Sequence, residues 1–146
     1  MAKFKVEKIF MNEQIIYGLW HKAKKATTND DMMLLSQKTV LPFFVLSRNH
    51  HKENEYFDLF IGSTIEKTGL ESLTLPAGEY VKITIQPRWR IFTDTAIDKA
   101  KRYFYNKWLF ENPYVFYNLE YVYYNDKSLG KKPIIDVYFA VQKMII

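Results

Sequence analysis

The chain has 146 residues, 48% hydrophobic and 25% charged with only 5 Gly and 5 Pro, which excludes disordered, collagenous and low-complexity classes. At this length one compact core buries about 70% of the unfolded surface, and zero cysteines exclude disulfides, thiolate zinc sites, iron–sulfur clusters and cysteine nucleophiles. The net charge of +5 is mild and its acids and bases are interleaved, whereas the aromatic share of 17% is high. Apolar runs such as Val40 to Leu46 fall far short of the roughly 20 residues of a membrane-spanning helix, and no charged-then-apolar leader opens the sequence, so a soluble, cytoplasmic chain is expected.

In chain order, residues 3–10 alternate as an edge strand does, and residues 14–24 carry β-branched and aromatic residues around Gly18, where a strand bulges or admits a close neighbour. Thr27 to Asp31 supply capping side chains and first-turn acids, which predicts a helix from near residue 29 that buries Met32, Leu35 and Thr39 or Val40, with Pro42 breaking or kinking it. The alternation in EYFDLFIGS predicts a strand closed by Gly62 and Ser63. Residues 70–75 and EYVKITIQ flank the Pro76-Ala77-Gly78 turn as two more strands. Thr93 can cap a helix whose Ile97, Ala100, Phe104 and Trp108 share one face, and Asn112-Pro113 stops it. Residues 114–124 and 134–142 read as strands separated by turn residues Asn125, Asp126 and Gly130. The pattern of strand, helix, strand, strand therefore occurs twice, between about 14 and 75 and between 79 and 142.

The motifs exclude more than they assign. His50-His51 with Glu53 and Glu55 lacks the spacing that puts two imidazoles on one helix face, and His21 has no partner pattern, so no metal, haem or other cofactor is expected. There is no GxSxG elbow and no glycine-rich phosphate loop. Pro87-Arg88-Trp89-Arg90 with Lys99, Lys101, Arg102 and Lys107 makes a basic patch beside a ring, but a solvated helix face and a packed tryptophan explain it better than nucleic acid does. Glu120 is the residue to follow. It alternates with Phe116, Asn118, Val122 and Tyr124, while Tyr121 and Tyr123 point the other way, so a carboxylate lies among rings. Such a group pairs with a lysine on a half-exposed strand, accepts from tyrosine hydroxyls, or meets a delocalised cation that rings also attract.

Several segments in order resemble the GyrI-like small-molecule-binding domains, which also serve as effector-binding domains of AraC-type and MerR-type multidrug regulators: IIYGLW (15–20), YFDLFIGSTI (56–65), LTLPAGEYVKIT (73–84), YFYNKWL (103–109), YNLEYVYYND (117–126) and IIDVYFAVQ (134–142). The resemblance implies an α+β fold of one domain, 1–146, in which two pseudo-symmetric strand-helix-strand-strand modules, about 1–75 and 76–146, form a curved antiparallel sheet. Helices would pack on one face and a ligand cleft would lie between the modules. It also implies that Glu120 is the central pocket carboxylate and that Trp20, Phe60, Tyr80, Trp108 and Tyr138 supply ring walls, Tyr138 reaching the carboxylate from a neighbouring strand. The sequence departs from the family pattern around Pro42 to Asn54 and in ending the closing strand with FAVQK.

The expected function is a stand-alone binder of hydrophobic, cationic or aromatic small molecules without a DNA-reading module. Two alternatives belong to other classes. One is a hydrolase of reactive electrophilic small molecules in which Glu120 activates water and Tyr138 donates a hydrogen bond. The other is an inhibitor that binds a protein partner such as DNA gyrase.

Overall fold

A computed structural model of the chain describes residues 3–24, 42–48, 56–87, 93–128 and 132–144. Their fold is α+β: eight strands, β1 (Lys3–Met11), β2 (Gln14–Lys24), β3 (Phe43–Arg48), β4 (Tyr56–Ser63), β5 (Glu71–Leu75), β6 (Gly78–Gln86), β7 (Tyr114–Tyr124) and β8 (Ile135–Lys143), and one helix, α1 (Thr93–Tyr103). The helix runs on through a π-helical stretch (Phe104–Trp108), in which the Leu109 amide donates back to the Phe104 carbonyl, and a last α turn (Leu109–Glu111). The helix expected from residue 29 and the His50–Glu55 motif lie outside the described residues, as do Arg88, Trp89 and Arg90.

All strand pairs are antiparallel, in the order β1-β6-β8-β7-β3-β4-β2-β5. Strands β1 and β5 are the two edges. The link from β1 to β2 is Asn12-Glu13 and that from β5 to β6 is Pro76-Ala77, and each joins strands from opposite ends of the order. Links this short draw the two ends of the sheet together at one corner, so the open sheet curves.

Strand alternation divides the core between the two faces. On the helix side, Val81, Ile83 and Ile85 of β6, Val137, Phe139 and Val141 of β8 and Val122 and Tyr124 of β7 pack with Ile97, Ala100, Phe104 and Trp108. Phe104 is fully buried and stacks on Phe139 with ring centroids 4.0 Å apart. On the opposite face Ile16, Phe44, Leu46, Phe60, Leu75, Tyr80, Leu119, Tyr121, Tyr138 and Ala140 form a second cluster.

Two features depart from the expected elements. Strand β3 was not anticipated. Its Phe43 to Leu46 are buried in succession because β3 lies mid-sheet between β4 and β7, and such an unbroken apolar run carries no periodicity to mark a strand. Strand β7 is irregular. Between the pairs Phe116–Val141 and Glu120–Phe139 it spends four steps where β8 spends two, and Asn118 sits at φ 55° inside this bulge.

Candidate functional site

Glu120 follows directly after the bulge of β7 and projects to the helix-covered face, opposite Phe139 and on the side of Val122 and Tyr124. Its side chain is only 13% exposed, and the ammonium of Lys101, on α1, lies 3.8 Å from Oε2. That oxygen is fully buried and accepts no hydrogen bond among the described residues. The lysine pairing that the sequence left open as one of three readings is therefore present, but it is long and leaves acceptor capacity free. Tyr105, one turn along from Lys101, also faces this carboxylate and lies within hydrogen-bonding reach of it; burial first, then the negative charge of Glu120 and the hydrogen bond to it, holds its phenol well above the ordinary value. Tyr105 lies in the π-helical stretch and Glu120 beside the β-bulge, so two backbone irregularities of the kind that re-aim side chains at functional sites flank one carboxylate.

The residues expected to share the site with Glu120 divide between the faces. Trp108 is on the helix side, buried in the core and stacked against Phe104 (5.7 Å). Tyr138, Tyr80, Phe60 and Trp20 belong to the other cluster. The register sets Tyr138 opposite Tyr121, one residue out of step with Glu120, so strand alternation carries Tyr138 away from the carboxylate it was expected to reach. Instead Tyr138 stacks on Tyr121 (4.8 Å, 18° between planes), with Tyr80 edge-on to both. Burial pushes the Tyr80 phenol up to about 12 and moves those of Tyr121 and Tyr138 in the same direction. Tyr80 donates to the Pro76 carbonyl at 2.7 Å, whereas among the described residues the buried Tyr121 hydroxyl has Gln14 near it but makes no well-formed hydrogen bond. Trp20 packs edge-on against Phe60 (5.1 Å), with the Arg48 guanidinium 5.2 Å from its ring centre.

Sequence reasoning missed Lys101 and Tyr105 as neighbours of Glu120. Their spacing of four on the best-marked helix was the available signal, but Lys101 read as part of a solvated basic face. A cavity of about 560 Å³ opens near the strand ends, lined by Phe10, Pro76, Tyr80, Tyr117, Ala140 and Gln142 among others. Of the expected residues it includes Tyr80 alone. Among the described residues no three His, Cys, Asp or Glu side chains gather as metal ligands, and no helix is long and apolar enough to cross a membrane.

Residues 4–141 match the family model described as integron-associated effector binding protein (Cass2). No protein of curated function matches the sequence. Among solved structures, an integron cassette protein from the mobile metagenome of Vibrio cholerae is similar at TM-score 0.66 and 14% identity over 97% of this chain and 99% of its own. The C-terminal domain of EcmrR is similar at TM-score 0.63 and 14% identity, over 99% of each chain. SAV2435 bound to tetraphenylphosphonium is similar at TM-score 0.65 and 10% identity, over 94% of each. At these identities the likeness is one of fold.

Proposed function

The chain belongs to the integron-associated effector binding protein family, a GyrI-like group, and we propose that within it this protein is a receptor for hydrophobic small molecules carrying positive charge or aromatic rings. It would act in the cytoplasm in sequestration or drug response. The domain is read as two modules, about 1–75 and 76–146, and the strand order supports a division into two runs, β3-β4-β2-β5 and β7-β8-β6-β1, that meet at the β3–β7 pair, although it sets β1, from the first span, at the outer end of the second run. In that reading the equivalent strands are β2, β3 and β4 against β6, β7 and β8, with β5 and β1 as outer additions.

The observation that carries the proposal is the Glu120 carboxylate, nearly enclosed among rings with one oxygen unbonded among the described residues. A buried acceptor without a donor is costly to keep, so such a group is retained where something else satisfies it. A desolvated cation held there gains both the charge and the negative faces of neighbouring rings. Tetraphenylphosphonium, the ligand of a fold neighbour, has this chemistry. Water activation by Glu120 with Tyr138 as donor has less support, since the two residues lie on opposite faces of the sheet.

The test is calorimetric titration of tetraphenylphosphonium into the wild type and Glu120→Gln, with thermal melts confirming that both are folded. Saturable binding that weakens at least about tenfold in the variant is expected, the size of a charged hydrogen-bond-scale contact. Equal affinity overturns the role of Glu120, and no binding by folded wild type overturns the cation receptor and turns attention to a protein partner.

A further inference from the structure

Lys101 reaches Glu120 from a different element, α1 against β7, and its contact is at the outer limit of an ion pair. Its side chain is 27% exposed, twice as open as the 13% of the carboxylate it approaches, and Oε2 receives no hydrogen bond from it. An ammonium on a flexible stem can leave such a contact and recover its hydration in solvent. The carboxylate cannot follow it outward. With the neutral Tyr105 phenol as its remaining neighbour, it would be a poorly hydrated charge without a counter-ion, which is expensive unless another cation takes the place.

We infer that Lys101 is an intramolecular counter-ion that neutralises Glu120 in the ligand-free protein and must be displaced by a cationic ligand, so that it sets the threshold for charge selection. This rests on the proposed role of Glu120 and adds which cations succeed. A strongly hydrated amine exchanges one ammonium for another and gains little. A lipophilic cation with buried or delocalised charge gives up little water on entry, contacts the surrounding rings and returns the lysine to solvent. The site therefore favours phosphonium and quaternary or aromatic ammonium ions over simple amines. A neutral ligand has no reason to displace Lys101 and does not sense it.

The experiment titrates tetraphenylphosphonium and, as a neutral comparison, triphenylphosphine oxide into the wild type, Lys101→Met, Lys101→Arg, Glu120→Gln and the double variant Lys101→Met/Glu120→Gln. Removing the competing charge is expected to tighten phosphonium binding by about five- to tenfold, the range of a partly buried charge contact. Triphenylphosphine oxide binding is expected to stay within about twofold, the Arg variant to behave as wild type, and the Lys101 effect to vanish in the Glu120→Gln background. Unchanged or weaker phosphonium binding by Lys101→Met, with the wild type still binding, overturns this inference and leaves the receptor reading intact. If no variant binds the phosphonium at all, the receptor reading itself has failed.

Discussion

Gly18 offers a sharp structural test, because it faces Gly62 across the β2–β4 pair at a point where the two backbones nearly touch. A Cβ added at Gly18 would lie 2.0 Å from the Ile61 carbonyl oxygen and 2.6 Å from the Gly62 Cα. Both obstacles are backbone, so no side-chain rotation relieves them. For the oxygen to reach 3.4 Å, β4 has to retreat by about 1.4 Å, more than the ladder hydrogen bonds on either side tolerate. Overpacking of a side chain costs about 1–3 kcal/mol, and a backbone clash belongs at or beyond the top of that range. Gly18→Ala is therefore expected to lose about 3 kcal/mol or more, measured by urea unfolding, and to lower Tm by about 6–12 °C. Gly69→Ala is the control. Its φ of +89° strains any side chain, but nothing lies within 4 Å, so the loss is about 1 kcal/mol. If Gly18→Ala melts within about 2 °C of the wild type, or no lower than Gly69→Ala, the close approach of β2 and β4 is wrong.

Tyr121→Phe removes a buried hydroxyl that makes no well-formed hydrogen bond among the described residues while keeping the ring stacked on Tyr138, so stability is expected to be unchanged or up to about 1 kcal/mol higher in urea unfolding; a loss above about 1 kcal/mol would show that the hydroxyl is bonded, with Gln14 the nearby partner. Alkaline pH is expected to unfold the protein. The Tyr80 phenol rises from 10.0 to about 12 on folding, and burial moves Tyr105, Tyr121 and Tyr138 upward too. Above pH 10 the unfolded chain has lost protons that the folded one retains, so the stability present below pH 10 falls steadily towards pH 12. Urea midpoints measured across this window check the sign, and a flat profile contradicts the burial of these phenols.

Much of the architecture was legible because the periodicities are strong. The alternation of Val81, Ile83 and Ile85 and the helical spacing of Ile97, Ala100, Phe104 and Trp108 mark the faces that the structure buries, and of the two readings of Gly18, a bulge or a close neighbour, the structure shows the neighbour, the Ile61–Gly62 backbone. What stayed hidden depends on register. Periodicity tells which residues share a face within one strand, and it rightly separated Glu120 from Tyr121. It does not tell which residues of the next strand stand opposite, so Tyr138 was assigned to the face of Glu120 although it pairs with Tyr121. The bulge around Asn118 and the π-helical turn around Tyr105 are likewise backbone departures that apolar spacing does not announce.

A cationic ligand bound at Glu120, as proposed, would sit on the helix-covered face, away from the tyrosine cluster across the sheet. Fluorine NMR of the fluorotyrosine-labelled protein, with resonances assigned by single Tyr→Phe variants, tests this placement during titration with tetraphenylphosphonium. Tyr105, beside the carboxylate, is expected to shift with saturation while Tyr121 and Tyr138 hold still. Saturable shifts at Tyr121 and Tyr138 with Tyr105 unmoved would place the ligand on the other face and overturn the role of Glu120.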